Sequence, residues 1–126
     1  MKRQPRRHEE LEVWRDAMDL VEIIYRLSAS FPSEERFGLI AQIRRAALSV
    51  PCNIAEGAAR RSRHELIQFL HIARGSLAEV ETQIQLARRL AFAPSFEDAE
   101  AAANRVFAKL NAMIRSLHSQ SDESAP

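Results

Sequence analysis

Glycine, proline, cysteine and aromatic side chains are all scarce in this sequence. Its 126 residues include three glycines, five prolines, one cysteine and 6% aromatics. Good helix formers dominate the remainder, so we expect an all-α fold, and the length suits a single domain. The lone Cys52 excludes an internal disulfide and a zinc site built from paired cysteines, and it fits a reducing compartment.

Long hydrophobic runs are also missing. No uncharged stretch approaches the length that a membrane-spanning helix needs. The basic residues at the N-terminus are followed by Glu9, Glu10 and Glu12, where a signal peptide would need an apolar run. We therefore expect a soluble, cytoplasmic protein with no membrane partner.

The formal net charge of +1 hides an uneven charge distribution. Residues 1–8 are basic, residues 9–35 are predominantly acidic, and residues 36–63 are rich in arginine, with Glu56 as their only acid. Arginine pairs with carboxylate or phosphate groups in a planar, bidentate way. The second quarter of the chain is therefore the place to look for an anionic partner.

Apolar residues recur at steps of three and four in four segments, which predicts four amphipathic helices. The first runs from Glu9 to Ser28 and carries two apolar rows, a width that indicates burial by neighbouring helices or by another subunit. Ser33 is predicted to cap a second helix that starts near Glu34. Ser62 and Glu65 form a capping-box pattern before the third helix, and the fourth follows the turn "LAFAP".

Short turns between these segments predict an up-down-up-down antiparallel four-helix bundle in residues 9–118. Residues 1–8 are predicted to be a flexible basic segment, and residues 119–126 a disordered tail. Apolar and polar sets both keep their phase across Pro51, which predicts a continuous second helix kinked at the proline. Gly57 would permit close helix approach or serve the exit turn before Ser62, and Gly75 would let two helices approach.

The stretch from Leu11 to Leu90 carries a series of specific motifs in order, namely "VW", "FPxxE", "QIRRAALSVPxNIAEG" and "FLxIARGSLAEVETQ". In these motifs the chain resembles the bacterial four-helix-bundle proteins first known as open reading frames within intervening sequences of 23S ribosomal RNA genes. Cys52 stands where that family commonly has serine, which argues against a polar role for the side chain at this position.

The resemblance implies the up-and-down bundle and a ring-shaped homopentamer with a central channel. The same fold resembles the accessory variability protein of diversity-generating retroelements, a basic pentamer that binds RNA and a reverse transcriptase. The family at large has no established biochemical activity, so the resemblance supplies no catalytic residues.

Arg44, Arg60, Arg61 and Arg63 are the candidate nucleic-acid-binding residues, because arginine neutralises backbone phosphates. The last three fall at a helix end and turn, where side chains are exposed. The alternative is that these arginines are only solvated or ion-paired at the surface. The small net charge of the chain is equally compatible with this alternative.

A second polar group could line a site, but a satisfied network that fixes the register of the bundle is the favoured interpretation. Its members are Arg45, Asn53, Glu56, Arg74, Ser76 and Glu79. Arg45 shares a helical stripe with Glu56 and suits an ion pair between helices or between subunits.

No catalytic constellation of acid, base and nucleophile is present. Ser76 lacks the second glycine and the strand context of a nucleophile elbow, and Cys52 has no base beside it in the sequence. His64 and His71 are too far apart for the one-turn pairing of a helical metal site, and no glycine-rich phosphate loop occurs. We expect neither an enzyme nor a metal or cofactor.

These observations favour a noncatalytic homo-oligomer, pentameric by resemblance, that binds nucleic acid through surface arginines, with RNA as the first choice. The alternative is a protein-interaction scaffold with an unidentified protein partner and no nucleic-acid role.

Overall fold

The computed structural model describes residues 6–124 of the chain, and the side chains of residues 6–120. A short 3-10 helix, Arg7–Glu10, precedes α1, Glu12–Ser28. A second 3-10 helix, Ser33–Glu35, precedes α2, Leu39–Ala58, which is followed by α3, Arg63–Arg89, and α4, Glu97–Ser124. No strand occurs in this part of the chain, so the all-α prediction is confirmed.

Each helix packs against the next one along the chain, and α4 returns to pack against α1. Side-chain contacts show that consecutive helices are antiparallel. Arg44, early in α2, reaches Ser28 at the end of α1. Gly57, late in α2, lies against Leu66, early in α3. Arg88, at the end of α3, pairs with Glu100, near the start of α4. The up-down-up-down bundle is therefore confirmed. The start of α1, the α2–α3 turn and the end of α4 lie together at one end of the bundle, here named the turn end.

The core is built from one buried row on each helix. In α1 the buried row consists of Val13, Ala17, Leu20 and Ile24. The second apolar row of α1 is only partly covered, since Met18 and Tyr25 are each 41% exposed. The other helices contribute fully buried Ile43, Val50, Ile54, Leu70, Leu77, Val80, Val106 and Leu110.

Helix α3 begins as the sequence predicts, because Ser62 Oγ accepts a hydrogen bond from the Glu65 amide at 3.2 Å. The predicted start of α2 near Glu34 is wrong. The backbone of Gly38 has φ −104° and ψ −114°, outside the helical region, so α2 begins after it. The first amide of α2, that of Leu39, donates a hydrogen bond of 3.2 Å to Glu35 Oε1. The side-chain acceptor at this helix start is therefore Glu35 and not Ser33.

Both predicted flexible ends are partly helical. Arg7 and His8 belong to the first 3-10 helix; Arg7 Nη1 donates to Ala58 O at 3.3 Å, and the His8 ring packs edge-on against Trp14 at 5.0 Å. At the other end α4 continues to Ser124, into the segment predicted as a tail, since a formed helix propagates at one hydrogen bond per residue. Residues 1–5 and 125–126 lie outside the described residues.

Helix α2 runs without interruption through Pro51, whose ring is buried, so the predicted continuous helix is confirmed. A kink at this residue stays a prediction. A Cβ added to Gly57 would lie 2.8 Å from Phe69 Cβ, which shows the expected close approach of α2 and α3. The same prediction for Gly75 is wrong, because no neighbouring atom lies within 4 Å of a Cβ built there.

Candidate nucleic-acid interface

The structure separates Arg44 from the other candidate arginines. Its side chain is half-buried; Nε donates to Ser28 Oγ at 2.8 Å, and Nη2 donates to Tyr25 O at 3.1 Å. The guanidinium also lies 4.6 Å from the centre of the Tyr25 ring. Arg44 thus donates to a carbonyl group in the last turn of α1. The part of α2 between Arg44 and the turn end is roughly 24 Å long, at about 1.5 Å per residue.

Arg60, Arg61 and Arg63 lie together at the turn end, and all are exposed. Arg60 Nη2 pairs with Glu56 Oε1 at 2.8 Å, and its Nη1 lies 3.8 Å from Glu65 Oε2. Its charge is therefore offset. Arg61 and Arg63 make no hydrogen bond or ion pair with any side chain between residues 6 and 120, so their charges remain uncompensated.

These arginines line a cavity of about 260 Å³ at the turn end. Its wall consists of Arg7, Arg60, Arg61, Ser62, Arg63, Leu66, Leu117 and Gln120. The first amides of α3 have no acceptor within the helix and carry the positive end of its dipole, so they add to the positive potential. The arrangement favours a small anionic group.

Sequence reasoning missed Arg7 as a member of this cluster. The sequence predicts a flexible segment over residues 1–8, and the structure places Arg7 at the turn end, where its Nη1 donates a hydrogen bond to Ala58 O. The available signal was topological, because an antiparallel bundle must bring the start of α1 beside the α2–α3 turn.

Part of the predicted polar network assembles between α2 and α3. Asn53 Nδ2 donates to Ser49 O at 2.8 Å and to Ser49 Oγ at 2.9 Å. Ser49 Oγ in turn lies 2.8 Å from Ser76 Oγ, which is buried. Ser49 is a bridging residue that the predicted set did not include, although it lies one helical turn before Asn53.

The remaining members of the predicted network lie elsewhere. Arg74 links α3 to α4, with Nη1 donating to Asn111 Oδ1 and Nη2 contacting His71 Nδ1, each at 2.9 Å. Glu56 pairs with Arg60 and not with Arg45. Arg45 and Glu79 are exposed and have no hydrogen-bond or ion-pair partner in the described part of the chain.

Arg45 belongs to a surface of α2 that is otherwise apolar. Residues spaced by about 3.6 share one side of a helix, and the side of α2 turned away from the core carries small or apolar residues. We name it the α2 outer face; it consists of Ala41, Leu48, Cys52, Ala55 and Ala59. Leu48 is 46% exposed, and Cys52 is exposed as a free thiol. A surface helix ordinarily places polar side chains here, yet Leu48 and Cys52 on the α2 outer face remain exposed in the described part of the chain.

Two further observations concern other kinds of site. No group of three or more His, Cys, Asp or Glu side chains among the described residues could hold a metal ion. No helix in the same part of the chain has the length and apolar character to cross a membrane.

The architecture places the chain in the class of small up-and-down four-helix-bundle proteins. Residues 9–114 match the family described as 23S rRNA-intervening sequence protein. The chain belongs to this family, which confirms the resemblance seen in its motifs.

A solved structure shares the fold. It is the crystal structure of a protein of unknown function from the S23 ribosomal protein family of Bacteroides thetaiotaomicron, with a TM-score of 0.75 and 24% sequence identity. The similarity covers 82% of this chain and 95% of that one. No curated protein of known function matches the chain.

Proposed function

We propose that the protein is a noncatalytic homo-oligomer that binds RNA through the arginines at its turn end. The observation that carries the proposal is the exposed, unpaired state of Arg61 and Arg63 beside Arg7. Unpaired guanidinium groups at a surface release counterions when they neutralise backbone phosphates, and this release dominates nucleic-acid affinity. Arg44 is left out of the proposed interface, because its Nε and Nη2 donate hydrogen bonds within the fold and it lies far from the turn end.

The proposed assembly is a ring of five identical chains, the number that the family resemblance implies. The α2 outer face supports self-association, because a second copy would cover its apolar side chains. Arg45 and Glu79 are exposed, unpaired and of opposite charge, and they supply groups for ion pairs between copies.

Fluorescence anisotropy with a structured RNA at low salt tests the RNA proposal. The wild-type protein is expected to bind, and the double variant Arg61→Glu, Arg63→Glu is expected to lose more than about tenfold in affinity, since it replaces attraction by repulsion. The double variant Arg89→Glu, Arg105→Glu is the matched control, because both residues are exposed and it changes the net charge equally. Absence of binding at low salt, or equal losses in both double variants, would overturn the proposal.

The second candidate function is a protein-interaction scaffold, which the apolar α2 outer face also favours. Pull-down from a nuclease-treated lysate separates the two functions. Retention of a stoichiometric protein partner without copurifying RNA supports the scaffold, whereas RNA that copurifies from an untreated lysate supports the RNA proposal.

A further inference from the structure

The cavity at the turn end is closed on several sides. The 3-10 helix supplies Arg7, the start of α3 supplies Arg63, and α4 supplies Gln120. Buried Leu66 and half-buried Leu117 form an apolar part of the wall. At about 260 Å³ the cavity is several times larger than the volume of about 30 Å³ that one water molecule occupies in the liquid. A single phosphate group is small enough to fit this space.

The positive charge of the arginines around the cavity exceeds the negative charge of one phosphodiester inside an RNA chain. Arg60 is offset by Glu56 and Glu65, whereas Arg7, Arg61 and Arg63 face no acid in the described part of the chain. A phosphodiester carries one negative charge, but a phosphomonoester carries about −1.5 to −2 at neutral pH and presents three terminal oxygens. Several unpaired arginines that line one cavity match the greater charge of the monoester better.

We infer that the cavity binds the terminal phosphomonoester of an RNA chain, so that the protein recognises RNA ends. This inference rests on the proposed RNA binding and names the chemical group bound at the same site. Ser62 Oγ is already an acceptor for the Glu65 amide, which leaves its hydroxyl proton available to a phosphate oxygen.

The test is fluorescence anisotropy with one short single-stranded RNA, labelled internally and prepared in three forms. The forms carry a 5′-phosphate, a 3′-phosphate, or hydroxyl groups at both ends. A phosphorylated form is expected to bind at least about tenfold more tightly than the hydroxyl form, because charge-assisted bidentate contacts are strong. The two phosphorylated forms establish which end is recognised.

The double variant Arg61→Gln, Arg63→Gln is expected to abolish this preference, while Arg89→Gln, Arg105→Gln preserves it. All four residues are exposed, so the variants are expected to fold, which circular dichroism checks.

Each alternative outcome has a defined meaning. Equal binding of the three RNA forms, weakened by Arg61→Gln, Arg63→Gln, overturns end recognition but leaves the proposed RNA binding intact. A preference that survives this double variant overturns the assignment to the cavity. Absence of binding to every form overturns the inference, and if the structured RNA also fails to bind, the proposed function is overturned with it.

Discussion

The hydroxyl oxygens of Ser49 and Ser76 lie 2.8 Å apart where α2 packs against α3. Asn53 donates to Ser49 Oγ, so the Ser49 proton remains available for Ser76. Because Ser76 is buried, water cannot easily replace this contact. The three side chains are therefore expected to fix the register of the two helices.

Replacement of Ser76 by alanine is expected to lower the free energy of unfolding by about 1–2 kcal/mol, because the Ser49 hydroxyl loses its partner in a semi-buried position. Urea denaturation measures the change. Ser116→Ala, at an exposed position of α4, is the control and is expected to change stability by less than about 0.5 kcal/mol. Equal effects of the two substitutions would contradict a register-fixing role.

The two helical glycines are expected to respond oppositely to alanine. Gly57→Ala places a Cβ 2.8 Å from Phe69 Cβ and 3.3 Å from Leu66 O, so it is expected to cost about 1–3 kcal/mol. Gly75→Ala meets no neighbour within 4 Å and is expected to stabilise the helix by about 0.5–1 kcal/mol. Thermal melts of both variants provide the comparison, and a stabilised Gly57→Ala protein would show that the helices are not in close contact.

Arg44 is expected to affect stability and not RNA binding. Arg44→Met removes the hydrogen bonds to Ser28 and Tyr25 and the stacking on the Tyr25 ring, at a cost of about 1–3 kcal/mol. Denaturant titration together with RNA anisotropy checks both statements. Arg89→Met is the control for stability, since Arg89 is exposed and unpaired within the described residues. A stable Arg44→Met protein with weakened RNA affinity would return Arg44 to the interface.

Lys109 is expected to make stability depend on pH in the alkaline range. Its pKa is raised above the ordinary 10.5, chiefly because Nζ donates a hydrogen bond to Asp16, with Glu12 Oε2 at 3.5 Å as a further partner. A raised folded-state pKa stabilises the protein fully below 10.5, and this contribution disappears as pH rises through the folded value.

The stability difference between wild type and Lys109→Met is therefore expected to stay constant up to about pH 10 and to shrink at higher pH. Chemical denaturation at a series of pH values measures it. The same substitution made in an Asp16→Asn background is the control and is expected to show a smaller difference. A difference that grows with pH would have the wrong sign for this ion pair.

Leu48 is expected to be required for assembly. Leu48→Glu puts a charge in the middle of the α2 outer face and is expected to shift the oligomer towards the 14.3 kDa monomer in light scattering. Leu86→Glu on α3 is the matched control, since Leu86 is 47% exposed and Leu48 is 46% exposed. A wild-type protein that is already monomeric at micromolar concentration would remove the assembly proposal.

Local patterns predicted the helices, their buried rows and the Ser62 cap, because each depends on residues within a few positions of one another. The start of α2 was missed, since Gly38 adopts a backbone conformation that the "SEE" sequence does not reveal. Gly57 and Gly75 occur in similar helical contexts, and only the packing of α3 against α2 distinguishes them.

The surroundings of the candidate arginines could not be predicted from the sequence, for the same reason. Arg44 donates to Ser28 at the end of α1, and Arg60, which pairs with Glu56 of α2, also lies near Glu65 of α3. Whether an arginine is available to an RNA depends on such tertiary contacts. Spacing along a single helix carries no information about them.

The close contact of α2 with α3 also bears on how the protein folds. The segments around Gly57 and Ser76 are near neighbours in sequence, so joining them closes only a short loop. Amide hydrogens on the facing sides of these two helices are expected to exchange only when the whole molecule unfolds. The α2–α3 hairpin would thus form first and bring Arg60, Arg61 and Arg63 together at its tip, and the cavity would be completed only when Arg7 and α4 dock against it.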